Sequence, residues 1–172
     1  EPVVELDIKS CHATMAFAHV GIDWYAHSDQ DLYSRLENDD WPRDVVKKAF
    51  NIMMNAKSRK AAIGSLNYEQ ARSGFLMENG MVPFKKWSTD LVKSIQDAYP
   101  ELEDVFYAEL GNHFMNKEGN ICMAIAEWAV LEQVPVLTIH DGFICPADSK
   151  ARVMDQIGKL FSHVVDSSCV IR

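Results

Sequence analysis

"VLTIHDGFIC", Val136 to Cys145, is the stretch on which the reading of the fold turns. Apolar and β-branched residues run into His140-Asp141-Gly142, and the chain then turns apolar again. Two short apolar runs about a glycine-containing turn read as a hairpin. The other strand-like run lies at the far end of the chain, "PVVELDI", Pro2 to Ile8. These strands have only each other to pair with, and the segments between them carry helix signals. Ser10 is a candidate N-cap for "CHATMAFAHV", which stops at Gly21. A short helix fits Asp29 to Asn38, and Pro42 suits the first position of a long helix ending near Leu66. Residues 67 to 115 read as helix in several pieces, broken near Gly80 to Pro83 and at Pro100. Asn120 to Gln133 reads as a strongly apolar, buried helix, and Pro146 as the opening of a last one. The expected class is α+β, mostly helical: a small antiparallel sheet packed against several helices.

The bulk numbers exclude several classes. At 172 residues the chain is long enough for one domain with a full core, expected to span 1–172. A net charge of −8 argues against holding nucleic acid by bulk charge alone, although a local basic groove is compatible with it. Cys11, Cys122, Cys145 and Cys169 form no CxxC pair and read as the reduced thiols of a cytoplasmic protein. No apolar run reaches membrane-spanning length, so no membrane partner is expected. The chain enters a strand almost at once, which suggests further domains before Glu1.

Three constellations carry chemistry. Asp7 closes the first strand, and Asp141 sits on the hairpin. If those strands pair, the two carboxylates lie close together. Like charges that close are stable as ions only with cations, and oxygen ligands on a rigid turn suit Mg²⁺. Taken alone, each aspartate reads as a turn former or helix cap, and His140 as a semi-buried structural histidine. The third constellation is the helix after Pro42. Six of the chain's 17 basic residues fall between positions 43 and 60: Arg43, Lys47, Lys48, Lys57, Arg59 and Lys60. Arg43, Lys47, Asn51 and Asn55 recur every four residues and form one slowly turning polar stripe. Val46, Phe50 and Met53 take another face and pack inward. The stripe suits a triphosphate or a nucleic-acid backbone; a solvated helix face is the plainer reading.

The order of these features resembles motifs A, B and C of the family A DNA polymerases and the related single-subunit, phage-type RNA polymerases. "ELDIKSCH" looks like motif A, "RDVVKKAFNIMMNA" like motif B of the fingers helix, and "IHDGFICPAD" like motif C. "DLY", Asp31 to Tyr33, resembles the short signature that follows motif A, and "NICMAIAEWAVLEQVPVL" the helix leading into motif C. The motifs cover about half of the chain; residues 67 to 115 match nothing. The chain departs from the pattern in places. Asn51 and Asn55 stand where aromatic residues are usual in motif B, His12 where a sugar-screening glutamate is common, and Gly142 where motif C often has a second acid.

The resemblance implies a palm with a reduced fingers helix, about 42–66. It implies a template-directed nucleotidyltransferase, a DNA or RNA polymerase, using two Mg²⁺ ions for which Mn²⁺ can substitute. Its partners would be a nucleoside triphosphate and a primer–template nucleic acid. Asp7, Asp141 and the Ile8 carbonyl would hold metal, with Asp7, Asp141 and Lys47 catalytic. Arg43, Lys47, Asn51, Asn55 and His12 would bind the nucleotide, and His140 would support the primer end or the turn. Two alternatives stand beside it: a degenerate palm that binds nucleic acid or protein without catalysis, and a metal-dependent phosphohydrolase using the same two acids.

Overall fold

A computed structural model describes residues 2–36 and 41–172. The chain divides into two compact units: Glu1–Asp29 with Asn112–Arg172, and Gln30–Gly111.

The first unit holds the sheet. Strand β1 (Val3–Asp7) pairs antiparallel with β3 (Gly142–Pro146), which pairs on its other edge with β2 (Leu137–Ile139), giving the order β1-β3-β2. The fold is therefore α+β, mostly helical with one small antiparallel sheet, as expected. Side chains alternate between faces. Leu6, Phe143 and Cys145 are buried on one face, and Val3, Glu5, Leu137 and Ile139 are exposed on the other. Helices α1 (Cys11–His19) and α8 (Lys150–Val165) supply the remainder of this core, through Ala13, Met15 and Phe17 and through Val153, Ile157, Phe161 and Val165. Pro146 ends β3 rather than opening the last helix; a single 3₁₀ turn intervenes at Ala147–Ser149. Ser10 flanks α1 but caps nothing with its side chain: its φ is +53° and its hydroxyl is buried without a partner.

Helix α7 (Gly111–Leu131) begins well before the expected Asn120 and is not buried all round. Phe114, Ile121, Ile125 and Ala129 form its buried stripe, while Met115, Met123, Val130 and Leu131 face solvent. An apolar composition does not by itself fix how many faces of a helix find a partner. A four-residue helix, α2 (Trp24–His27), is capped by Asp23, whose Oδ1 accepts the Ala26 N–H at 3.2 Å.

In the second unit the expected long helix is two. Helix α3 (Arg43–Asn55) ends where Ala56 turns extended, and α4 (Arg59–Ser73) restarts under Ser58, whose Oγ accepts the Ala61 N–H at 3.1 Å. The C-terminal carbonyls of α3 are not left open. Met53 accepts the Tyr107 N–H at 2.8 Å and Met54 accepts the Leu110 N–H at 3.1 Å. The core sits under α3, where Phe50 meets Tyr33, Tyr99 and Phe106 edge-on at 5.2–5.6 Å between ring centroids. Such pairs add about 0.5–1.5 kcal/mol each beyond area burial. The buried Tyr99 hydroxyl donates to the Leu32 carbonyl at 2.8 Å. Helices α5 (Phe75–Glu78) and α6 (Trp87–Ala98) complete the unit. Residues 31 to 36 form turns, not the expected helix, and residues 37 and 38 lie outside the described residues. Asp31 explains the turn: its Oδ1 accepts the Tyr33 N–H at 3.0 Å and its carbonyl accepts the Ser34 hydroxyl at 2.7 Å, local bonds that compete with a helix. No helix among the described residues is long and apolar enough to cross a membrane.

Candidate metal and nucleotide sites

The sheet register decides where the acids lie. Asp7, the last residue of β1, stands directly across from Gly142, the first of β3. Asp141 immediately precedes Gly142, and its carbonyl accepts the Ile8 N–H at 3.1 Å. Both aspartates therefore occupy the same end of the sheet, next to Ile8. The turn of the hairpin is the pair His140-Asp141, with Gly142 already in the strand. His140 holds φ at +54°, a left-handed conformation uncommon for histidine. Its carbonyl accepts the Cys122 thiol at 2.9 Å, tying the turn to α7. Gly142 shares a face with Asp7, so the missing side chain leaves room beside that carboxylate.

The two acids are held differently. The Asp141 carboxylate makes no hydrogen bond or ion pair among the described residues. Asp7 is 36% exposed; its Oδ2 accepts the Arg172 Nε–H at 3.1 Å and forms an ion pair with Nη2, also at 3.1 Å. Among the described residues no group of three or more His, Cys, Asp and Glu side chains gathers where it could hold a metal ion. An ion at this place would thus rest on two carboxylates and take its other ligands from backbone oxygens, water and substrate. That donor set, hard oxygen only and half open to solvent, fits Mg²⁺ and does not suit a closed transition-metal site.

His12, in the first turn of α1, has Nε2 at 2.8 Å from Glu118 Oε2 on α7, so its imidazole is oriented by a carboxylate that the sequence did not point to. Its neighbour Cys11 is buried. Burial first, then the negative charges of Asp141 and Glu118, raise its thiol pKa far above the ordinary range, so this thiol is inert rather than nucleophilic. Cys169 is pushed up to about 12, mainly by burial and then by Asp23.

The basic stripe lies in the second unit. Arg43 opens α3; its Nη2 donates to Asp31 Oδ2 at 2.8 Å and its guanidinium lies 5.3 Å from the Tyr33 ring centre. The hydrogen bond to Asp31 is the main reason that its pKa rises. "DLY" thus has a local structural meaning: one residue of it holds the guanidinium and another carries the ring beneath it. Lys47 is exposed and makes no ion pair among the described residues. Lys48 is committed elsewhere, to Glu69 at 3.1 Å and over the Phe75 ring at 4.7 Å. Asn51 and Asn55 turn back on the protein. Asn55 Nδ2 donates to the Asn51 carbonyl at 2.8 Å, and Asn51 Oδ1 is buried without a partner. The Asn55 carboxamide packs so closely on Gly111 that its oxygen lies 1.4 Å from where a Cβ would be. A ring at position 55 would have to clear that backbone. Lys57, Arg59 and Lys60 lie beyond the end of α3 and take no part in its stripe.

The structure brings Asp7, Ile8, Asp141 and His140 together in one unit and Arg43, Lys47, Asn51 and Asn55 onto one helix in the other. Sequence reasoning missed Arg172, Glu118 and Asp23, all of which act through contacts between distant parts of the chain. Comparison with protein-family models, curated proteins and solved structures finds no match for this chain.

Proposed function

We propose that the chain is a template-directed nucleotidyltransferase in which Asp7 and Asp141 hold Mg²⁺. One observation carries this reading above the others. The sheet register sets two aspartates at one strand end, and the carboxylate of one, Asp141, has no hydrogen-bond or ion-pair partner among the described residues. Ionised carboxylates that share a site call for a cation. Asp7 and Asp141 would hold the ion, which when bound would supply Lewis-acid chemistry toward a hydroxyl and the phosphates. The hairpin turn, tied to α7 by the Cys122 thiol, fixes the backbone of Asp141. Arg43, pre-set by Asp31 and Tyr33, offers its remaining N–H groups to the outer phosphates of a triphosphate. Lys47, exposed and without an ion pair among the described residues, is the residue that the resemblance assigns to departing pyrophosphate. His12, oriented by Glu118, is the candidate for contact with the sugar.

The test is nucleotide incorporation on a primed template with Mg²⁺ or Mn²⁺, offering deoxy- and ribonucleotides separately. Wild-type extension with loss of at least a hundredfold in Asp141→Asn, at unchanged thermal stability, is the expected result. Equal activity in the variant would refute it. A second reading has its own observation. Asp7 already carries a counter-ion in Arg172, as it would in a polymerase-like fold that binds nucleic acid or protein without catalysis. Template binding that is indifferent to Mg²⁺ and to Asp141→Asn, with no extension, would favour it.

A further inference from the structure

We propose that Arg172 is a built-in counter-ion of Asp7, which a divalent cation must displace to bind. The inference rests on the reading of Asp7 and Asp141 as metal carboxylates and adds what regulates their occupancy. The contact is set by backbone, not by a chance meeting of long side chains. The Asp7 N–H donates to the Arg172 carbonyl at 3.0 Å, and the Arg172 N–H donates to the Asp7 carbonyl at 3.1 Å. Residues exchanging both bonds stand directly opposite each other, and their side chains share one face. The pairing continues through Ile8 opposite Ile171 and the Lys9 N–H on the Val170 carbonyl at 2.9 Å. Farther back, Asp23 accepts the Ser168 N–H at 3.0 Å and the Ser167 and Ser168 hydroxyls at 3.1 and 2.5 Å. The segment is thus fastened at both ends, and Arg172 has its guanidinium delivered to Asp7.

Two details make the contact a competitor and not a permanent seal. Nε and Nη2 reach the same oxygen, Oδ2, and Oδ1 has no partner among the described residues. The Arg172 side chain is also 63% exposed, and an exposed pair of this kind opens at little cost. With Arg172 in place the two acids and the guanidinium sum to one negative charge; with it withdrawn, to two. A divalent ion about 6 Å from a guanidinium in water is repelled by an amount worth about tenfold in affinity, less in high salt.

The experiment is titration of the whole chain with Mn²⁺ at low ionic strength, following loss of the free-ion signal by electron paramagnetic resonance. Wild type, Arg172→Gln, Arg172→Lys and Asp141→Asn are compared, with thermal melts of each. The expected result is weak binding by wild type, about tenfold tighter binding by Arg172→Gln, near wild-type binding by Arg172→Lys, and loss in Asp141→Asn. Equal affinity in wild type and Arg172→Gln, with Asp141→Asn still impaired, would overturn the role of Arg172 and leave the metal site standing. An equal gain in the Gln and Lys variants would assign the effect to the strand contact and also overturn it. Binding indifferent to Asp141→Asn would remove the metal reading itself, and the role of Arg172 with it.

Discussion

Asp23→Ala is the change whose cost can be worked most directly. Asp23 caps α2 through the Ala26 N–H and holds the backbone and hydroxyls of Ser167 and Ser168. Loss of an N-cap costs about 1 kcal/mol. Hydrogen bonds to a charged acceptor contribute about 1.5–3 kcal/mol where water is excluded, and less here, since Asp23 is only half-buried. A total of about 3 kcal/mol is a substantial part of the stability of an ordinary domain. At this size it lowers Tm by about 6–12 °C. The pH dependence has a definite sign. Burial pushes the Asp23 pKa up, but the hydrogen bonds from Ser168, Ala26 and Ser167 together outweigh it and hold the carboxyl below its ordinary value. A carboxylate with a depressed folded pKa contributes in full above its unfolded pKa, near 3.9, and loses that contribution as pH falls through the folded value. Thermal melts of wild type and variant should therefore differ by a constant amount between pH 5 and 7 and draw together as pH falls below the unfolded value. Hydrogen exchange should quicken at the amides of Asp7 and Lys9, whose acceptors lie in the released segment. A Tm difference under about 2 °C at pH 7, or one that widens as the pH is lowered below about 4, would refute the reasoning.

Two further substitutions test the second unit. Asp31→Asn keeps an oxygen for the Tyr33 N–H and replaces the Oδ2 acceptor that faces Arg43 by an N–H donor, removing charge and hydrogen bond together; a double-mutant cycle with Arg43→Gln should return a coupling of about 0.5–1.5 kcal/mol in chemical denaturation, and a value near zero would show that the pair contributes nothing. Gly111→Ala drives a methyl into the Asn55 carboxamide; it should cost about 1–3 kcal/mol, and most of that should return in the double variant with Asn55→Ala.

The sequence was most legible where a local rule had no competitor. Pairing of Pro2–Ile8 with the hairpin followed because no other strand-like run exists, and the register then brought Asp7 to Gly142. The inward face of α3 followed from periodicity, and Val46, Phe50 and Met53 are all buried. The break between α3 and α4 was written in Ser58, a capping residue before Arg59, but an uninterrupted run of helix formers concealed it. Asp29 to Asn38 was misread because Asp31 spends its side chain on its own backbone. The contacts of Arg172 with Asp7 and of Asp23 with Ser168 join positions 165 and 145 residues apart, and no periodicity or spacing announces such pairs.

The hairpin shows how far a physical reading of one turn extends. A left-handed conformation is inexpensive for glycine or asparagine and costs a histidine of the order of 1 kcal/mol. The chain places histidine there, anchors its carbonyl with the Cys122 thiol, and leaves the next side chain, Asp141, without a partner among the described residues. A turn that served only to reverse the chain, with positive φ at its first central residue alone, would be better satisfied by glycine at position 140. Strain, an added anchor and an unpaired acid at consecutive positions are what a site requires when one carboxylate must be held still for something that is not protein. Directly across from Gly142, Asp7 meets the opposite circumstance, a carboxylate already answered by Arg172. On the reading proposed above, one acid without a partner among the described residues and one already paired would admit an ion first at Asp141, and at Asp7 only as the guanidinium withdraws.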